Sequence, residues 1–267
     1  MTKERRVLVH PDWEALVASV AARFLTKIID VLEEKDEIHI VLTGGTTIGD
    51  GVLGAINASP ARDTVAWSRV HFWWGDERWL PAGDPERNDE QAFDALLSHI
   101  ALDPAKVHRF AASDAGLDLD AAAAAYADEL ASATEDERGF PVFEVMFLGV
   151  GPDGHVASLF PGKDEVLVRD RTVVAVRGAW KAPAERLSLT LPVINASERL
   201  WMALAGGDKA SVLGLALAGA SVDEVPVAGV LGRKRTVFFV DQEAAAEVPE
   251  SLIAPGDEFH ALVDQNS

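Results

Sequence analysis

The segment Gly149-Val150-Gly151-Pro152-Asp153-Gly154-His155-Val156-Ala157-Ser158-Leu159-Phe160-Pro161-Gly162 holds the residues best suited to chemistry. A histidine on a glycine-rich loop, with a reference pKa of about 6.5, is suited to carry a proton near neutral pH. Asp153, two residues earlier, can fix the ring tautomer or hold a substrate hydroxyl. Taken alone, Asp-Gly-His is also an ordinary turn with an exposed imidazole. A second run, Trp74-Gly75-Asp76-Glu77-Arg78, sets two carboxylates beside a guanidinium. Arg78 suits bidentate recognition of a phosphate or carboxylate, and Asp76 suits a base or a ligand for a sugar hydroxyl. The plainer reading of such a run is a surface ion-pair cluster.

The third candidate is Thr43-Gly44-Gly45-Thr46-Thr47, where glycines let backbone N–H groups approach an anion and the hydroxyls of Thr43, Thr46 and Thr47 add donors. It reads equally as a tight turn plus a helix cap, and it is neither a Walker loop nor a Gly-x-Gly-x-x-Gly fingerprint. Lys181, Arg186 and Lys209 are the remaining cations of interest. Lys209 follows Gly206-Gly207 at a predicted helix start, where the dipole disfavours a cation unless an anionic ligand is present. Each of the three reads otherwise as a snorkelling surface cation.

What the chain lacks narrows the field. Its 267 residues carry 24 Lys+Arg against 43 Asp+Glu, a net charge of −19, which argues against nucleic-acid and membrane-surface partners. There is no cysteine, so disulfides, thiolate metal sites and cysteine nucleophiles are excluded together. His10, His39, His71, His99, His108 and His260 show no metal spacing and read as structural or exposed, and no Gly-x-Ser-x-Gly elbow occurs. No metal or cofactor is expected. Only Val7 to Val9 are apolar near the N-terminus and no run nears a span of about 20 residues, so a soluble, cytoplasmic protein is expected. With 48% hydrophobic residues, no repeat and no linker, residues 1–267 read as one α/β domain.

The elements that must position these residues follow from hydrophobic period. Short apolar runs at Arg6 to Val9, Ile38 to Leu42, Val70 to Trp74, Val142 to Val150, Thr172 to Val176, Leu200 to Ala205 and Thr236 to Val240 predict strands. Arg186 opens a further strand-like run, Leu187 to Leu191. Trp13, Leu16, Val17, Val20, Phe24, Ile28 and Val31 lie on one helical face opened by an Asp12 cap. Further helices are predicted from Gly45 through Ile56, over Ala121 to Ala133 and over Asp208 to Ala218, with Pro81 and Asn88 as turn and cap residues. The candidate loops at Thr43, Gly75, Gly151 and Gly206 each follow the carboxyl end of a predicted strand, where open α/β sheets bind ligands. Four such loops suggest one shared site, and that convergence favours catalysis by His155 over an idle turn.

Several of these motifs, taken in order, resemble a known family. They are Leu42-Thr43-Gly44-Gly45-Thr46-Thr47, Gly75-Asp76-Glu77-Arg78-Trp79-Leu80-Pro81 with Asn88, Gly149 to Gly162, Arg186-Leu187-Ser188-Leu189-Thr190, Gly206-Gly207-Asp208-Lys209, and Asp241 with Ala244-Ala245. Together they are similar to the 6-phosphogluconolactonases of the pentose phosphate pathway, relatives of the glucosamine-6-phosphate deaminases. The resemblance implies a mainly parallel, Rossmann-like sheet flanked by helices, of the deaminase, ribose-isomerase and CoA-transferase type. It also implies a small-molecule substrate, 6-phospho-D-glucono-1,5-lactone, hydrolysed to 6-phospho-D-gluconate, and says nothing of oligomeric state.

The deaminases carry a glutamate five residues beyond the motif histidine, where this chain has Phe160, and a tyrosine where it has Arg78. Hydrolysis therefore fits better than deamination, the runner-up, or a non-catalytic sugar-phosphate sensor. His155 is then the base that activates water, with Asp153 and Asp76 as further catalytic candidates. Thr43, Gly44, Gly45, Thr46, Arg78, Arg186 and Lys209 would bind the phosphate or the developing oxyanion. The chain departs from the usual lactonase pattern at Thr43 and Thr46, at Ile48 in place of proline, which puts the helix start in question, and at Arg87, a potential further phosphate contact.

Overall fold

The apolar runs assemble into one sheet because strands buried on both faces need no polar alternation. In the computed structural model, which describes residues 4–249 and Ile253, six strands line up in parallel in the order β1-β9-β8-β5-β2-β3. They are β1 (Glu4–His10), β2 (Ile38–Leu42), β3 (Val70–Trp74), β5 (Phe143–Leu148), β8 (Arg199–Leu204) and β9 (Arg235–Asp241). All six residues of central β5 are buried. Helix α1 (Trp13–Glu34) presents the expected apolar face, and Asp12 caps it by accepting from the Ala15 amide. Helices α2 (Leu53–Ala58), α3 (Asn88–Ala95), α4 (Leu119–Ser132), α5 (Leu191–Asn195) and α6 (Ala210–Leu217) complete the main elements. None of the helices among the described residues is long and apolar enough to cross a membrane.

The chain runs from β2 outward to β3, returns to β5 on the other side of β2, and then proceeds to β8 and β9. The direction of winding thus reverses between β2 and β5, so the loops after these two strands diverge and leave a crevice. The Thr43 and Gly151 loops flank that crevice.

Two local readings are corrected. Asp76 to Arg78 is not a terminal loop but a short strand, β4 (Asp76–Arg78), in a second, antiparallel sheet ordered β4-β7-β6 with β7 (Arg186–Leu189) and β6 (Val173–Val176). The segment expected to be a regular helix from Gly45 begins instead as a wide π-turn over Thr46–Val52, with the Asp50 amide bonded five residues back to Gly45. The doubt raised by Ile48 is thereby resolved. The wider turn sets Gly51 against α1, where an added Cβ would lie 2.7 Å from the Trp13 ring.

Of the histidines outside the motif, His39, His71 and His108 form a structural cluster, His99 is exposed, and His260 lies outside the described residues. His39 and His71, paired across β2 and β3, stack at 4.3 Å, and Trp73 stacks on His108 at 3.7 Å. His39 Nδ1 accepts the Trp73 indole N–H at 3.0 Å, which requires a neutral ring at that nitrogen. His71 contacts Glu37 at 3.1 Å and His108 at 2.9 Å, and His108 contacts Glu129 at 2.7 Å. Burial, and then the neighbouring His71 and His108, lower the His39 pKa from its ordinary value to about 3.

A pH dependence follows. Between about 6.5 and 3 the unfolded chain binds a proton at His39 that the folded chain excludes. Stability therefore falls as pH drops through that window, by up to about 1.4 kcal/mol per pH unit from this group. The uncharged variant His39→Gln, with an amide oxygen for the indole, should show a shallower fall in denaturant unfolding between pH 6.5 and 4. Parallel curves for the two proteins would show that His39 titrates alike in both states.

Candidate active site

The loops after β2, β3, β5 and β8 open on the carboxyl edge of four adjacent strands, so the expected convergence is a consequence of sheet order. His155 lies on the loop after β5, and its side chain is 18% exposed, so it is reachable without being free in solvent. Its Nδ1 sits 2.6 Å from Asp153 Oδ1, which also accepts the His155 amide at 3.2 Å. An ionised carboxylate only accepts, so Nδ1 carries the hydrogen and Nε2 keeps its lone pair. Burial raises the Asp153 pKa, but the hydrogen bond and charge of His155 outweigh it and the carboxyl titrates below its ordinary value. The pair folds back over Gly151, where an added Cβ would lie 2.1 Å from the imidazole and 2.4 Å from Asp153. Glycine at 151 is therefore a condition for the Asp153–His155 contact.

The His155 loop is closed by a tight turn with Leu159 bonded back to Val156. Ala157 at its centre has φ of +50°, a left-handed conformation costing an L-residue about 1–2 kcal/mol. The adjoining Ser158 is 0% exposed, its amide donating to Ser188 Oγ at 3.1 Å and its hydroxyl to Asp76 Oδ2 at 2.7 Å. Phe160 lies with its ring 4.5 Å from that of His155 and 5.7 Å from the Arg186 guanidinium. The phenyl ring thus neighbours both.

Arg78 and Arg186 are direct cross-strand partners in the β4–β7 ladder. Side chains so placed share one face with Cβ atoms about 5 Å apart, and like charges there repel. Arg186 is buried and donates to the carbonyls of Lys181, Ala182 and Pro183; Arg78 donates to the Glu86 carbonyl. Burial lowers the Arg186 pKa, with Asp76 opposing the shift and Arg78 adding to it. Arg78 Nε is a buried donor with no hydrogen-bond partner among the described residues. Two guanidiniums held together with a donor to spare form a place for an anion.

Asp76 is buried on the same ladder, and its carboxylate accepts from Ser158 at 2.7 Å, Asn88 at 3.3 Å and Thr43 at 3.5 Å. The Thr43 hydroxyl therefore points inward, while Thr46 is exposed at the start of the π-turn. Gly44 is pressed by α3, an added Cβ falling 2.1 Å from Asn88 Oδ1. The Gly45 amide donates to Gln91 at 3.0 Å, so it is not free for a ligand as the sequence suggested. Lys209 stands just before α6, 3.2 Å from Asp208. The Gly206 loop is tied down by Asp241, which accepts from the Gly206 and Ala244 amides. The late Asp241 motif is thus an anchor for the Lys209 loop.

Arg87 overturns an expectation. It is 2% exposed and is held by both Asp89 oxygens and the carbonyls of Leu80 and Phe110, with Glu77 3.8 Å away. It has no donor facing the crevice and is a structural ion pair. Glu77 accepts the amides of Arg78, Asn88 and Asp89, fixing the start of α3, and burial followed by the nearby Asp89 raises its pKa. The residues whose supporting contacts the sequence did not reveal are Ser158, Ser188, Asn88 and Gln91; the first three stand within motifs already singled out, whereas nothing in the sequence pointed to Gln91.

Residues 11–239 match the model of the family described as glucosamine-6-phosphate isomerases/6-phosphogluconolactonase. The 6-phosphogluconolactonase of Streptomyces coelicolor is 49% identical over 259 residues, 96% of this chain and 99% of the relative. That of Mycobacterium tuberculosis is 42% identical over 243 residues, covering 90% and 97%. Among solved structures, 6-phosphogluconolactonase from Thermotoga maritima superposes with a TM-score of 0.77 at 28% identity, covering 90% of this chain and 100% of that one. A monomeric glucosamine-6-phosphate deaminase superposes at 0.75 and 21% identity, covering 91% and 99%, a likeness of fold.

The burial of Arg87 yields a test that separates structure from binding. Replacement by Met removes the buried cation shared by Glu77 and Asp89 and leaves Asp89 only the more distant Arg109 at 3.6 Å, which should cost about 3–5 kcal/mol of stability. Denaturant unfolding measures that loss, while KM of the folded enzyme should stay within about twofold. A selective rise in KM at unchanged stability would return Arg87 to the binding site.

Proposed function

Because the chain belongs to the family of glucosamine-6-phosphate isomerases and 6-phosphogluconolactonases, and hydrolyses 6-phospho-D-glucono-1,5-lactone to 6-phospho-D-gluconate in the pentose phosphate pathway, we propose that catalysis runs between His155 and the Arg78–Arg186 pair. The observation that carries this reading is the 2.6 Å contact from His155 Nδ1 to Asp153, which leaves Nε2 as the only basic nitrogen of the ring. Nε2 takes a proton from water as the water oxygen bonds to the lactone carbonyl carbon. The bond from that carbon to the ring oxygen then breaks, and Nε2 returns the proton to the departing oxygen. The product is an open-chain carboxylic acid that ionises, and the imidazole is neutral again.

Asp153 stabilises the imidazolium formed between these two transfers. Arg78 and Arg186 hold the 6-phosphate, whose two negative charges relieve their mutual repulsion. Lys209, Thr46 and the Gly44 backbone line the same sheet edge and contribute to phosphate or oxyanion binding. Asp76 takes a positioning role here in place of the base considered from sequence, since its oxygens already face Ser158, Asn88 and Thr43. Phe160 puts a phenyl ring where a deaminase would orient its histidine with a carboxylate, which favours hydrolysis over aldose–ketose chemistry. The setting we assign is cytoplasmic, with the sugar phosphate as the sole partner required.

The test is hydrolysis of the lactone with spontaneous opening subtracted. His155→Ala should lower kcat by about 10²–10⁴-fold, the usual contribution of a positioned base. Asp153→Asn, which can present the wrong donor to Nδ1, should lower kcat with little change in KM; a variant keeping most of the activity in either case overturns the assignment. Arg78→Ala should raise KM about 10–100-fold for the phosphorylated lactone and far less for an unphosphorylated one. Equal losses on both substrates would move Arg78 from the phosphate to the reacting carbon.

A further inference from the structure

Ser158 is fully buried, yet it joins the two halves of the site. Its amide and hydroxyl bind Ser188 and Asp76, which are themselves direct partners across the β4–β7 ladder. Two residues along the same two strands, and so on the same face of the ladder, lie Arg186 and Arg78. The loop that carries His155 is thus pinned to the ladder that carries both guanidiniums, one pleat repeat of about 7 Å from them. Between His155 and this pin sits Ala157 at φ +50°, a conformation the alanine would leave if it were released.

We propose that Ser158 is a positioning residue for the hydrolysis: its hydroxyl bond to Asp76 and its amide bond to Ser188 together hold the left-handed Ala157 turn and so set the reach from His155 to a lactone anchored at Arg78 and Arg186. The inference rests on the assignment of His155 as the base. Without the pin, the Val156–Leu159 turn relaxes toward negative φ and carries the imidazole away from the carbonyl, while the guanidinium pair stays on its strands. Catalysis and binding are therefore separable at this residue. Reacting atoms must be held within a few tenths of an ångström for efficient transfer, so a small loop shift is enough to slow the reaction.

The test compares Ser158→Ala, Ala157→Gly, the double variant and His155→Ala, reading kcat and KM for the lactone and Kd for 6-phosphogluconate. Ser158→Ala should lower kcat about 10–100-fold, with KM and the product Kd within twofold of the parent. Glycine adopts positive φ without cost, so adding Ala157→Gly should restore kcat at least threefold in the double variant. A purely structural role for Ser158 would not respond to relief of strain next door. Wild-type kcat in Ser158→Ala, or no recovery in the double variant, overturns the proposal. If Ser158→Ala does not fold, Ser188→Ala, which removes the acceptor of the Ser158 amide, should show the same loss confined to kcat, and wild-type kcat there overturns it equally. Inactive His155→Ala beside fully active Ser158→Ala would sink the positioning role alone; active His155→Ala would sink the base itself.

Discussion

The Asp76 carboxylate is the contact on which the site depends. It is buried, and a buried carboxylate is tolerable only when hydrogen-bond donors replace the water it has lost. Those donors come from three separate pieces of chain: Thr43 after β2, Asn88 at the start of α3, and Ser158 on the loop after β5. Satisfying one charge therefore fixes the mutual positions of the Gly-Gly loop, the helix behind it and the His155 loop. The carboxylate itself is on β4, in the ladder with Arg78 and Arg186. An apolar residue at this place would leave the four segments with no common reference point. The gain from the polar centre is register, and its stability is weakly determined because buried charges are costly.

A second constraint runs against the first. The β4–β7 ladder places two guanidiniums opposite each other, which is unfavourable by itself, and the chain answers with backbone carbonyls. Carbonyl dipoles offset a cation partially, and Arg78 Nε has no hydrogen-bond partner among the described residues. In the proposed reading, the anionic ligand completes what the fold leaves incomplete. Phe160 adjoins both the Arg186 guanidinium and the imidazole that, in the proposed mechanism, must be neutral to act as a base.

Strands buried on both faces were legible in the sequence because nothing but apolar pattern defines them. Ile38 to Leu42 and Val70 to Trp74 were read with the bounds observed. Strand β4 was not, since three polar residues with a cross-strand partner more than a hundred positions away carry no period. Without that strand the facing of Arg78 and Arg186 is invisible, and the two read as separate cations near separate motifs. Arg87 failed for the related reason that burial of a bidentate ion pair is a tertiary fact; by type it looks like Arg78. The wide turn at Thr46 was signalled by Ile48, but the close approach of Gly51 to Trp13 that accompanies it lies between distant elements. Residues that react announce themselves by type, whereas those that hold them, such as Ser158 and Gln91, are ordinary residues in decisive places.

The net charge of −19 gains a specific meaning from this arrangement. A dianionic substrate should be repelled by such a molecule, but at physiological ionic strength charges on the far surface are screened beyond about 8 Å. At the proposed site the substrate meets, at close range, the carboxyl edge of the sheet, where Arg78 and Arg186 face each other and Lys209 stands one loop away. There the local field is set by cations that are partly buried and hence weakly screened. The acidic excess then excludes other polyanions, which must contact a wide surface, without excluding a ligand small enough to fit within one Debye length of the guanidinium pair.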